Sequence, residues 1–281
     1  MIRVGRIDYA NCAPIFHELD TCCSTGNLTF TVGVPAYLNS LLATGQIDVC
    51  PSSSIEYAFH QDDYLILPDL SISSLGPVAS VLLFSRVPIE QLDGADIILS
   101  DESATSINLL KILLHRKYGF TNRFTVSGRD ISGLSAEQPA MLLIGDKALK
   151  GALNPLGLHV YDLGTLWNEW TGKPFVFALW FCRREAAERN PEGMRSLAEA
   201  LVAAKEAARC NLESIADLSA DSSWMGRERL LAYWRDNISY DLSDEHLAGL
   251  SAFYRNLAGM GLIGEEPRLH FLDTVLAEQA G

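Results

Sequence analysis

The chain has 281 residues, 48% of them hydrophobic, and a formal net charge of −13. That is enough apolar material for one large domain or two lobes. The acidic balance, with no Lys/Arg-rich run, argues against a nucleic-acid partner, because phosphate binding rests on cationic side chains. No apolar stretch approaches the ~20 residues of a membrane helix.

In chain order, Ile2 and Val4 mark a short apolar run, a strand over 3–5, which hands over at Asn11 to Pro14 and a helix. Further strands are predicted at 28–32, 47–49, 64–67 and 78–84. Between them, Pro35 starts an apolar-periodic helix that Gly45 ends, and 51–59 reads as another helix. A second block, from about 87 to 172, begins at Pro88 and Gly94. It carries a strand at 96–99, a helix at 105–116 and strands at 124–126, 141–144 and 159–161, and 175–182 is again strand-like. After Arg183 helices dominate, at 191–210, 211–218, 227–236 and 243–258. Leu197, Leu201 and Ala204 share one face there, with Glu199, Lys205 and Glu206 interspersed, so these read as amphipathic surface helices that close the first lobe.

Strands alternating with helices imply largely parallel α/β sheets. The order predicts a two-lobed, type II periplasmic-binding-protein-like fold of mixed sheets flanked by helices. The first lobe takes 1–86 plus 176–281 and the inserted second lobe 87–175, with crossings near 84–87 and 172–177 acting as a hinge. The cleft between lobes is the expected site, since ligands favour domain interfaces and the carboxyl ends of strands.

Uncharged polar residues cluster at those strand ends. Asn11 is able to donate and accept hydrogen bonds in the cleft, or to cap the Pro14 helix. Ser52, Ser53 and Ser54 precede Ile55, and Ser53 with Glu56 has capping-box spacing. Ser103, Ala104, Thr105 and Ser106 form a second hydroxyl-rich helix start, and two such starts facing across a cleft suit a ligand with two anionic ends. Ser80 either faces the cleft or is a plain strand residue. Arg6 and Arg3 are the only basic residues up to Ser85, so Arg6 is either a carboxylate partner or a surface residue. Trp167, Trp170 and Trp180 flank the second crossing, in the cleft or in the hinge core.

His17, His60, His115, His159, His246 and His270 are scattered, and no metal-binding, nucleotide-binding or GxSxG motif is present. The expectation is that no metal and no cofactor is used. Cys12, Cys22, Cys23, Cys50, Cys182 and Cys210 show no CxxC pair and read as reduced thiols. With no secretory-signal pattern, the sequence reads as cytoplasmic.

Several stretches in the same order resemble the chorismate dehydratase family of the futalosine route to menaquinone. They are Arg3 to Pro14, Gly45 to Tyr57, Pro68 to Val78, Ser103 to Ser106, Gly145 to Leu149, Tyr161 to Gly164 and Thr171 to Trp180. The resemblance implies chorismate as a small-molecule substrate, dehydrated to 3-[(1-carboxyvinyl)oxy]benzoate. It implies Asn11 as the active-site residue, with Ser52–Ser54 and Ser103–Ser106 on the ligand. The matched motifs hold no obvious His or unpaired carboxylate as base, Glu56 being a poor candidate in its capping position. The chemistry therefore points to the substrate's own carboxylate as proton acceptor. Two alternatives stay open: a relative of 1,4-dihydroxy-6-naphthoate synthase, which uses a His base that neither His115 nor His159 matches in setting, and a non-catalytic small-anion binding protein.

Overall fold

The computed structural model describes residues 1–22, 25–128 and 131–279. The chain opens with β1 (Ile2–Ile7), α1 (Ala13–Cys22), β2 (Leu28–Gly33), α2 (Pro35–Ala43), β3 (Val49–Ser53), α3 (Ser54–Phe59) and β4 (Tyr64–Ser74). It crosses to β5 (Val81–Ser85), β6 (Asp96–Leu99), α4 (Ala104–Ile112), β7 (Arg123–Val126), β8 (Ala140–Ile144), α5 (Gly145–Leu153), β9 (His159–Asp162) and α6 (Leu163–Thr171). It returns through β10 (Phe175–Arg183) to α7 (Arg184–Arg189), α8 (Pro191–Leu218), α9 (Ser222–Met225), α10 (Arg227–Ala232), α11 (Asp244–Gly259) and α12 (Leu272–Gln279).

Two five-stranded sheets result, ordered β2-β1-β3-β10-β4 and β7-β6-β8-β5-β9. Each is parallel on one side (β1 with β2 and β3; β6 with β7 and β8) and receives one antiparallel strand that has just crossed over. That strand is β10 in the first sheet, between β3 and β4, and β5 in the second, between β8 and β9. The inner strands β3, β5 and β8 are buried along their whole length, as strands covered on both faces should be.

Sheet membership corrects three expectations. First, β5 belongs to the second sheet, so the first crossing falls at 75–80, not near 84–87, and the 86/87 boundary moves upstream. Residues 78–80 are crossing rather than strand, and Ala79 takes a left-handed φ of 59°. Second, 51–53 is strand, not helix. Pro51 reads locally as a helix start, but pairing with Trp180 across β10 decides its conformation. Third, α8 is one 28-residue helix where two were expected. Its Lys205, read as a surface charge, is buried and donates to the Asp69 carbonyl (2.9 Å) and the Asp241 carboxylate (3.1 Å).

Two devices fix the crossings. Asp162 caps α6 by accepting from Thr165 N–H (3.0 Å), and also accepts from Val78 N–H (3.0 Å) and Ala79 N–H (2.7 Å). Gly164 lets the chain pass there, since a Cβ would stand 2.3 Å from the Gly76 carbonyl oxygen. At the second crossing, Trp167 Nε1 donates to the Pro174 carbonyl at 3.2 Å. Trp167 and Trp180 are fully buried, and Trp170 packs edge-on to Trp167. The tryptophans therefore build core and hinge.

Cys12, Cys50 and Cys182 are buried free thiols and Cys210 is exposed, while Cys23 and the Cys22 side chain lie outside the described residues. Among the described residues no helix is long and apolar enough to cross a membrane, and no three His, Cys, Asp or Glu converge to hold a metal ion.

Candidate active site

A small cavity lies between the two sheets, and both of them contribute to its wall. The first sheet presents the end of β1 and the turn after it (Ile7, Tyr9, Asn11), the start of α2 (Pro35), the end of β3 (Ser53) and Ile72. The first crossing adds Val78, Ser80 and Val81, and β10 adds Phe177 and Ala178. The second sheet adds the start of α4 (Ser103, Ser106) and the β8–α5 junction (Ile144, Gly145). Among the described residues, no Asp, Glu, Lys, Arg or His lines it.

Asn11 is the central polar group. It sits in the 9–12 turn, closed by Cys12 N–H donating to the Tyr9 carbonyl (3.0 Å). Its backbone carbonyl accepts from the Tyr240 hydroxyl (2.8 Å). Its side-chain Oδ1 is buried with no hydrogen-bond partner among the described residues, so it does not serve as a helix cap. An orphaned buried amide oxygen is uncommon, and a cavity wall gives it a reason.

The predicted hydroxyls divide into two groups. Ser53, Ser80, Ser103 and Ser106 reach the cavity. Ser103 also caps α4, accepting from Ser106 N–H at 3.3 Å, with the two hydroxyls 3.1 Å apart. Ser52, Ser54, Ala104 and Thr105 are not in the wall. Ser52 donates to Asn39 Oδ1 (2.6 Å), Ser54 to the Val176 carbonyl (2.8 Å), and Thr105 Oγ1 accepts from Ile55 N–H (3.1 Å). The start of α3 therefore offers less to an anion than its serines promised.

The Ser53–Glu56 capping box does not form, as Ser53 makes no side-chain cap bond. Glu56 instead hydrogen-bonds Asn39 and lies off the cavity, with burial raising its pKa above the ordinary carboxyl range. Arg6 also misses the cavity. Its guanidinium pairs with Asp20 at 2.6 Å and lies over the Phe16 ring, in an outer groove. The local reason is strand alternation: the neighbouring Ile7 side chain faces the cavity. His115 and His159 are exposed and remote from the wall.

Sequence reasoning missed Tyr9 and Phe177. Tyr9 stands between the cavity and the outer groove, lining both. Its ring packs so closely on Gly145 that a Cβ there would lie 2.9 Å away, at a φ of +56° that also favours glycine. Its hydroxyl donates to Glu102 Oε2 (2.9 Å), whose other oxygen holds Lys147 (2.8 Å). Burial and that bond raise the Tyr9 pKa. Beside it, Ala10 N–H donates to Asp146 Oδ1 (3.2 Å). Tyr9 lay within the Arg3–Pro14 stretch, so a signal existed. Phe177 is the extra residue of a bulge between Val176↔Ser73 and Ala178↔Ile72, and bulges of this kind re-aim side chains without a sequence mark.

A family model described as menaquinone biosynthesis matches residues 2–258. A chorismate dehydratase of Thermus thermophilus is 37% identical over 266 residues, covering 89% of this chain and 93% of that protein. One of Campylobacter jejuni is 31% identical over 187 residues, covering 65% and 68%. Among solved structures, protein AF1704 of Archaeoglobus fulgidus superposes with a TM-score of 0.75 at 23% identity, covering 93% of this chain and 98% of that one. The periplasmic aliphatic sulphonate binding protein SsuA of Escherichia coli gives 0.66 at 16%, covering 95% and 89%. The likeness to SsuA establishes the periplasmic-binding-protein-like fold. With a two-sheet architecture, a cavity between the sheets and a family match over nearly its whole length, the chain belongs to the menaquinone biosynthesis family.

Proposed function

We propose that the protein is a carbon–oxygen lyase that removes water from chorismate to give 3-[(1-carboxyvinyl)oxy]benzoate, a step of menaquinone biosynthesis. The two curated relatives bear the name chorismate dehydratase, and one of them aligns over 93% of its length. The observation that carries the chemistry is the uncharged wall around the unpaired Asn11 Oδ1.

Elimination needs a proton taken from ring carbon C3 and a hydroxyl lost from C4. The C3–H electron pair becomes the new ring double bond, the C4–O bond breaks, and the hydroxide departs with a proton as water. The ring becomes aromatic, so the driving force lies in the substrate. With no carboxylate, imidazole or amine among the described residues of the wall, the substrate's side-chain carboxylate is the proton acceptor in this reading. Asn11 orients that carboxylate and the departing hydroxyl, while Ser53, Ser80, Ser103 and Ser106 bind the remaining oxygens. Excluding water strengthens each of these dipolar contacts.

Incubation with chorismate tests this directly. Loss of the diene absorbance with appearance of the benzoate product is the expected result. Tight chorismate retention without product over long incubation points instead to a binding protein, the activity class of the SsuA-like neighbours. A protein that neither retains nor consumes chorismate overturns the proposal altogether.

A further inference from the structure

The π-helical turn Tyr233–Asn237 follows α10 in a stretch whose helix over 227–236 reads from sequence as a packing element, yet this turn and the segment after it reach the Asn11 turn twice. Trp234 Nε1 donates to the Ala10 carbonyl at 2.7 Å, and the Tyr240 hydroxyl donates to the Asn11 carbonyl at 2.8 Å. Both donors are buried, at 2% and 5% exposure, and neither lines the cavity. From the same turn, Asn237 Nδ2 donates to the Pro77 carbonyl (3.1 Å) in the first crossing.

The reaching segment is itself anchored. Ser239 exchanges both backbone bonds with Ser73 (2.9 and 2.8 Å), and Ser71 N–H donates to the Tyr240 carbonyl (3.0 Å). Residues 239–240 thus continue the β4 edge of the first sheet and hold Tyr240 at a fixed height above it. π-Helical turns in otherwise α-helical runs concentrate at functional sites. Here the wider turn precedes the two side chains' approach to one backbone loop.

We infer that Trp234 and Tyr240 are positioning residues for the reaction, acting through the Ala10–Asn11 backbone to aim the Asn11 amide. The inference rests on the proposed role of Asn11. Because Asn11 Oδ1 has no hydrogen-bond partner among the described residues, no bond from that oxygen aims the amide, and the two carbonyl clamps together with Ala10 N–H on Asp146 Oδ1 hold the backbone that carries it. Side chains held by only one shell of contacts drift, and ångström-scale misplacement of a reacting group is expensive in rate.

The test compares Tyr240→Phe with Tyr57→Phe. Tyr57 is a buried control whose hydroxyl serves the Arg268 carbonyl and His270 N–H and is not in the cavity wall. Tyr240→Phe is expected to lower kcat on chorismate by about 10- to 100-fold with KM changed by no more than about threefold, and Tyr57→Phe to leave both alone. In an Asn11→Ala background Tyr240→Phe is expected to add nothing further, since its effect runs through Asn11. Hydrogen exchange of ligand-free protein in peptides spanning 8–16 reads the same clamp without substrate, and is expected to quicken in Tyr240→Phe alone. Trp234→Phe, which removes the other donor, repeats both readouts should the first variant fold poorly. Unchanged kcat and unchanged exchange, or the same fold loss on top of Asn11→Ala, overturns the inference. A wild-type protein that does not consume chorismate defeats the functional proposal instead, and leaves the exchange comparison to decide the clamp.

Discussion

Thr105 and Ile55 join the two sheet units at the floor of the cleft: the threonine hydroxyl, in the first turn of α4, accepts the Ile55 amide hydrogen of α3 at 3.1 Å. Ser54 Oγ lies 3.3 Å from the same oxygen. The two helix starts that sequence placed face to face do meet, but there they hold each other. Both residues are fully buried, so the bond has no competition from water.

Thr105→Val keeps the shape and removes the acceptor, stranding the Ile55 amide. Urea denaturation is expected to show a loss of about 1–3 kcal/mol, the usual penalty for a buried donor left unpaired, with Thr105→Ser close to wild type. A Val variant as stable as wild type would mean that water or another acceptor reaches Ile55.

Asn11→Ala is expected to lower kcat/KM for chorismate by at least about 10²-fold, the scale of losing one aimed dipole in a dry site. Asn11→Asp should do worse. It introduces an anion into a wall that holds no charge, opposite a dianionic substrate, and so weakens binding as well as turnover. Near-normal turnover by the alanine variant, measured at saturating chorismate, removes Asn11 from the mechanism.

Arg6→Ala is expected to leave kcat and KM within about twofold of wild type, because its guanidinium faces Asp20 and the Phe16 ring outside the cavity. Glu56→Gln is expected to be equally silent in turnover. A large loss in Glu56→Gln with the fold intact would restore a protein base to the reaction.

Stability should fall in acid partly through Asp48. Burial alone would raise its pKa. Bonds from Arg3 N–H (2.9 Å), Nε (3.0 Å) and NH2 (2.6 Å), with Arg189 at 3.0 Å, outweigh it and hold the carboxyl below its ordinary value. A carboxyl depressed by folding contributes stability above its unfolded pKa, and that contribution disappears as pH falls through the folded one. Arg3→Met is expected to lose about 1–3 kcal/mol at neutral pH, below the figure for a fully buried pair because Arg3 is 41% exposed. Its acid unfolding midpoint, followed by circular dichroism, should move to higher pH.

The fold was legible wherever local pattern and tertiary demand agreed. Asp96–Leu99 is a strand on both counts, whereas the pattern around Asn11 left it between a cleft amide and a cap for the Pro14 helix. Legibility failed where partners are distant. Pro51 looked like a helix start because its strand partner Trp180 is far along the chain. Ser52 and Ser54 looked like Ser53, although alternation and the Asn39 and Val176 acceptors send them elsewhere. Trp234 and Tyr240 carry no local mark at all, since the carbonyls they hold lie 224 and 229 residues earlier.

The place of β10 has a consequence for synthesis. Among the described residues β10 is the strand that touches both β3 and β4, so a nascent chain released no further than residue 174 has these two made but unjoined, each with an open edge. The second sheet, whose strands all lie within 81–162, is free to form before the first one closes. The half that begins the polypeptide is therefore the half that finishes folding, and the ribosome must deliver the middle before the beginning becomes whole.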